Sequence, residues 1–133
     1  MQRPRRIDAT DPRLDGVKVE GWSIQLGATQ HALLSADYAD QNGHGTHVAG
    51  TIAARRGNGI GVAGIADNAR IMPLKFLKPD GGYTSDAIVA SQYAVAHGAT
   101  VINASWGGSG YSQALCDAIE QAASQIPDDD GRQ

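Results

Sequence analysis

A single cysteine, Cys116, is the only thiol in this chain, which excludes an internal disulfide and leaves the redox compartment open. Aromatic side chains are scarce as well, at 5% of residues, so few large rings are available to build a thick core. No window approaches the roughly 18 apolar residues of a membrane span. Neither sign of charge dominates: 11 Lys and Arg stand against 14 Asp and Glu, a net charge of −3. No basic face therefore points to nucleic acid. Met1-Gln2-Arg3-Pro4-Arg5-Arg6 is positive but has no apolar run behind it, and does not read as a signal peptide. What is present is 133 residues, 41% apolar and 19% charged, the composition of a soluble globular domain. The 17 glycines and many alanines let helices and strands approach closely, which suits a tightly wound α/β domain.

Periodicity and turn signals divide the chain. Residues 1–16 are polar, with Asp-Pro and Asp-Gly turns at 11–12 and 15–16. Val17 to Trp22 alternates apolar and polar and predicts a short strand, and 23–42 reads as loop. Gly43 to Ala54 predicts a helix of small residues; Gly45, Ala49, Gly50 and Ala53 imply burial against other backbone, because interior glycines cost roughly 1 kcal/mol each. A glycine turn at 57–61 precedes a second predicted strand over Ala69–Leu77, in which Pro73 removes a ladder donor. After the turn at 79–82, a helix is predicted over Thr84–His97, with Thr84 or Ser85 as N-cap and Gly98 as C-cap. Ala99–Ser105 follows as a third predicted strand, making a βαβ unit and implying a parallel sheet. A last helix is predicted over 112–125, ahead of an acidic tail at 127–133.

The most specific stretch is Asp40-Gln41-Asn42-Gly43-His44-Gly45-Thr46-His47-Val48-Ala49-Gly50-Thr51. It resembles the histidine motif of subtilisin-like serine proteases, the subtilases. A second stretch, Val101-Ile102-Asn103-Ala104-Ser105-Trp106-Gly107-Gly108, resembles the strand with which that family binds substrate. Gly59–Ala66 and Asp11-Pro12-Arg13-Leu14 add weaker likenesses, so the resemblance runs from about residue 8 to about 125. It implies a parallel-sheet α/β fold in a partial peptidase domain over 1–133. It also implies His44 as the general base of a Ser-His-Asp triad, His47 as a structural residue packed inside the helix, and Ser105, Trp106 and Gly107 as substrate-binding residues. The expected partners are an extended peptide or protein substrate and the remainder of the protease domain, with no nucleic acid and no membrane.

The same resemblance defines what these residues do not include. Acyl transfer from a peptide needs a nucleophile, its base, a group orienting the base and donors for the oxyanion. The family's Gly-Thr-Ser-Met-Ala motif is nowhere in the sequence, nor is a Gly-x-Ser-x-Gly elbow. The triad Asp belongs in Asp-Ser/Thr-Gly after an apolar strand. Counting back from Pro12 places that position at Pro4, inside a stretch of arginines; Asp8, preceded by Ile7, is the rival candidate, but Ala9 and Thr10 do not match and no apolar strand leads into it. Asp40 borders the substrate cleft in the family, away from the imidazole's far side. The expected fold is thus incomplete, without the central Asp-bearing strand and the C-terminal half, and the isolated chain is expected to be inactive. Export is common in the family, while these residues leave localisation open.

No cofactor is expected. Asn58, Ile60 and Val62 match the family's calcium loop in position, but Arg13 stands where its turn supplies a carboxylate, and a cation there is unfavourable for calcium. Zinc at His44-x-x-His47 would need further ligands, and His31, His97 and Cys116 lack the spacing. Two other functions compete with the protease fragment. A peptide-binding remnant without catalysis would use the strand ending at Ser105–Gly107. A cysteine-histidine hydrolase would use Cys116, whose place between Leu115 and Ile119 is ordinarily that of a buried small residue.

Overall fold

A computed structural model of the chain describes residues 22–26, 32–35, 40, 42–59, 61–66, 69–78 and 81–126. In chain order it contains β1 (Trp22–Leu26), β2 (Ala32–Ser35), α1 (His44–Ala53), β3 (Leu74–Lys75), α2 (Thr84–Ala96) and α3 (Gln113–Gln125). The sheet has the order β2-β1-β3. β1 runs antiparallel to β2, with Ser23 opposite Ser35 and Leu26 opposite Ala32. It runs parallel to β3, with Trp22 beside Leu74 and Ser23 beside Lys75. α2 packs on α3 and on the β1 and β3 strands.

This arrangement corrects the strand assignments made from periodicity. The stretch 23–42, read as loop, contains β2 and nearly all of β1. Among the described residues the parallel pairing is that of β1 with β3, two residues long. That strand begins just after Pro73, which has no N–H to give to a ladder. The strand expected over 99–105 is not formed, so the βαβ unit is not closed. An apolar run becomes a strand only where a neighbour completes its hydrogen bonds. Residues 101–108 have no ladder neighbour among the described residues, and Val101 remains 80% exposed. The predictions for 1–16, for Val17–Gly21 and for the 127–133 tail lie outside the described residues.

The helices follow their sequence signals closely. α3 starts at Ser112, whose hydroxyl accepts the Leu115 N–H at 3.3 Å. α2 ends as expected at a glycine: Gly98 takes φ +78 just beyond the cap residue His97. There Ala99 N–H bonds Ala94 O and Gly98 N–H bonds Val95 O, the paired closure of a Schellman end. The start of α2 differs from expectation, because Tyr83 is its N-cap and offers no side-chain bond. Asp86 instead stands buried in the first turn, its Oδ1 without a hydrogen-bond partner among the described residues.

Every buried apolar residue of the described core is an alanine: Ala49, Ala53, Ala54, Ala87, Ala90, Ala94, Ala118 and Ala122. On α2 the buried alanines recur at i, i+3 and i+7, and on α3 at i and i+4, one face of each helix. Small side chains at this contact let the two backbones approach, as the composition implied. α1 is half as buried as expected: Ala49 and Ala53 are enclosed, whereas Gly45 and Gly50 are only partly covered.

α1 is held at its C-terminal end by the segment 64–66. The N–H groups of Gly64, Ile65 and Ala66 bond the carbonyls of Ala54, Thr51 and Ile52 at 2.7, 3.2 and 2.8 Å. Arg56 Nη2 then donates to Gly64 O at 3.1 Å and Ile65 O at 3.3 Å. The helix that presents His44 is thereby closed at its far end without a capping side chain of its own.

Candidate active site

His44 is the first residue of α1, and its position follows from how that helix begins. A helix start leaves N–H groups without intrahelical partners, and a side chain normally accepts one of them. Gly43 at the N-cap has no side chain to do so, and takes φ +94, a backbone that favours glycine. Asp40 supplies the missing acceptor from upstream. Its Oδ1 accepts the N–H groups of Gly43 at 2.7 Å and Asn42 at 3.0 Å. Its Oδ2 accepts the Thr46 N–H at 2.8 Å and the Thr46 hydroxyl at 2.7 Å.

Asp40 is buried, at 9% exposure. Desolvation alone would raise its pKa, but the bonds from Thr46, Gly43 and Asn42 together outweigh it and hold the carboxyl below its ordinary 3.8. A depressed carboxyl contributes stability that is complete above the unfolded-state value and disappears as pH falls through the lower folded value. The start of α1 is therefore expected to stay intact as the medium is acidified to about pH 4 and to fray only below that. Amide exchange at Gly43 and Thr46 followed from pH 6 to pH 2 checks this; fraying already complete above pH 4 would contradict it.

From this start the imidazole crosses to the segment after α2. Nε2 of His44 lies 2.7 Å from the carbonyl oxygen of Ser105, a contact between residues 61 positions apart. A carbonyl only accepts, so Nε2 carries the proton in this contact and a neutral ring has its lone pair on Nδ1. Around Ser105 the chain is fixed by short links. Asn103 Nδ2 donates to Ser105 Oγ at 2.9 Å, and Trp106 N–H bonds Ala104 O at 2.9 Å. The Trp106 ring meets Phe76, just beyond β3, edge to face with centroids 5.4 Å apart. A Cβ built on Gly107 meets no atom within 4 Å, so the chain there is open on that side.

The structure thus brings together His44 and the Ser105–Gly107 segment, the residues singled out by the two motifs. It does not bring His47 into the helix packing: that side chain is exposed, which corrects the packed role implied by resemblance. Cys116 is half-buried on α3 and pushes the pKa of the Tyr111 phenol upward; the Tyr111 hydroxyl itself donates to Gln113 Oε1 at 2.6 Å. Among the described residues no group of three or more His, Cys, Asp or Glu could hold a metal ion. Asp8, Arg13 and Ile60 lie outside the described residues. Sequence reasoning missed that Asp40 organises the start of α1. The signal available was an acidic residue three positions before a glycine and six before a threonine.

Comparison with known proteins gives these residues a setting. The family model described as "Subtilase family" matches residues 17–131. Fervidolysin of Fervidobacterium pennivorans is 39% identical over 123 residues, which cover 87% of this chain and 17% of that protein. A thermophilic serine proteinase of Bacillus sp. (strain AK1) is 39% identical over 119 residues, 87% of this chain and 27% of that protein. Subtilisin E of Bacillus subtilis (strain 168) is 43% identical over 119 residues, 89% of this chain and 29% of that protein. The chain therefore spans less than a third of the length of each of these three relatives.

Proposed function

This chain belongs to the subtilase family, and from that premise we propose that its 133 residues are part of a serine endopeptidase that cuts extended peptides, with His44 as general base. The observation that carries the reading is the 2.7 Å contact between His44 Nε2 and the Ser105 carbonyl. It joins the histidine motif to the segment proposed to bind substrate, through the ring nitrogen that has to exchange a proton. Ser105, Trp106 and Gly107 are the proposed substrate-binding residues, with the Phe76–Trp106 pair bracing that segment.

In the proposed reaction a serine hydroxyl attacks the scissile carbonyl and its proton passes to Nε2 of His44, which returns it to the leaving amine as the peptide C–N bond breaks. For that, Nε2 has to enter the step unprotonated, so the bond to Ser105 O is broken and the proton moves to Nδ1. We read the contact as a resting arrangement. The nucleophile's Gly-Thr-Ser-Met-Ala sequence is not among the 133 residues, and neither the proposed base nor the binding segment replaces it. The reaction as proposed calls for no cofactor.

A chimera tests this. Residues 40–126 replace the matching segment of subtilisin E, whose own chain then supplies the Asp-bearing strand and the serine motif. The chimera is expected to hydrolyse a peptide anilide and to be labelled by a serine-directed fluorophosphonate, while the 133-residue chain does neither. Stoichiometric serine labelling of the 133-residue chain would contradict its inactivity. A chimera that melts cooperatively and holds an extended peptide without cutting it would favour a non-catalytic binding remnant instead. The exposed 101–108 segment, without a ladder among the described residues, is the feature that reading would rest on.

A further inference from the structure

We propose that Asp40 is a positioning residue for His44: one carboxylate, bonded to the backbone on both sides of that histidine, fixes the turn into α1 and with it the direction in which the imidazole leaves the helix. The inference rests on the reading of His44 as a base, but it concerns how the ring is held and not what it does.

The geometry is specific. Gly43 lies immediately before His44 and Thr46 two residues after it, and the N–H groups of both end on Asp40, at 2.7 and 2.8 Å. The Asn42 N–H and the Thr46 hydroxyl complete four bonds, two on each oxygen. The carboxylate that accepts them is only 9% exposed. At Gly43 the left-handed backbone turns the chain into the helix, and the bond to Oδ1 holds that turn. The Cα of His44 thus lies between two tethered peptide units, 42–43 and 45–46, and the short turn they pin sets the range of its Cα–Cβ direction. From there Nε2 reaches the Ser105 carbonyl at 2.7 Å. Only an acceptor at both ends of one side chain satisfies this pattern. An asparagine serves Gly43 and Asn42 with its oxygen, but then sets an NH2 group against the Thr46 N–H. That the groups around it hold Asp40 ionised agrees with this role.

The test is Asp40→Asn in the 133-residue chain, read by the ring nitrogens and the Nε2–H proton of His44 in NMR. His97, whose ring stacks on Tyr93 at 3.7 Å on α2, reports separately whether the fold survives. The expected result is exchange of the His44 Nε2–H about ten-fold faster, the consequence of losing roughly one hydrogen bond's worth of restraint. The Nε2–H tautomer of His44 is expected to lose its preference, with His97 unchanged. Unaltered His44 signals in a folded Asp40→Asn chain would overturn the proposal. Should His97 change too, Thr46→Val decides: it removes one donor to Oδ2 and is expected to speed the same exchange about two- to three-fold. No change there overturns the proposal equally. In the chimera, Asp40→Asn is expected to lower kcat about a hundred-fold, as for a misplaced catalytic group, with KM within about two-fold. A parent chimera that is inactive counts against the protease reading, while the NMR result still decides the role of Asp40.

Discussion

Replacing His44 by alanine in the chimera is expected to lower kcat about a million-fold, the size of loss recorded for removing the catalytic histidine of subtilisin, a member of this family. At 1.36 kcal/mol per factor of ten, that is about 8 kcal/mol of transition-state stabilisation. The size follows from the base's double duty: it takes the proton that makes the hydroxyl a nucleophile and gives it to an amine that otherwise leaves poorly. His44→Gln separates this duty from packing, because an amide N–H still reaches the Ser105 carbonyl while the side chain cannot carry a proton to a leaving group. Both variants are expected to fall together in kcat, with KM little changed. Steady-state hydrolysis of a peptide anilide checks this, and a loss under about a hundred-fold for either would remove His44 from the role of base.

Gly64→Ala is expected to be the most damaging single methyl group in the described chain. A Cβ built on Gly64 runs into Ala54 N and lies 2.8 Å from both the carbonyl carbon and Cα of Ala53. These are backbone atoms, so no rotamer change relieves the contact. Relief requires the 64–66 segment to move, and with it the three N–H groups that close the end of α1 and the two carbonyls held by Arg56. Overpacking costs about 1–3 kcal/mol, and the loss of two of these hydrogen bonds adds about 1 kcal/mol each, for a total near 3–5 kcal/mol against a domain stability of about 5–15 kcal/mol. Chains of this size lose about 4 °C in Tm per kcal/mol, so the thermal midpoint is expected to fall by about 10–20 °C. Gly50→Ala is the control. It lies within α1, its added Cβ meets nothing within 4 Å, and relief of glycine's backbone entropy is expected to stabilise by about 0.5–1 kcal/mol. Similar midpoints for the two variants would rule out the steric argument.

The helices were legible because their signals are local. Ser112 caps α3 within three residues of itself, and Gly98 ends α2 through bonds to Val95 and Ala94 one turn back. The strands were less so. Trp22-Ser23-Ile24-Gln25-Leu26 does alternate, yet the predicted strand stopped at Trp22, where the real one begins. Ala32-Leu33-Leu34-Ser35 has no alternation to read, and forms a strand only because β1 pairs with it. Val101 and Ile102 show the converse: strand-forming residues without a ladder neighbour among the described residues. In the site, the identity of His44 came from its neighbours in sequence. Its contact with Ser105 spans 61 positions, and the hold of Asp40 on Thr46 reaches six, beyond what either motif states.

The alanine core bears on calorimetry. Heat capacity of unfolding grows with the apolar surface newly exposed to water, and each alanine brings only one methyl group to that change. Val62, Ile65, Val101 and Tyr111 are hydrated already in the folded chain, at 63–81% exposure, and add little more on melting. The helix contacts among the described residues therefore add little curvature to stability against temperature. They add little to the denaturant slope as well, because it follows the same surface change. Relative to helices packed through leucines and phenylalanines, these alanine contacts lose little hydrophobic driving force on cooling.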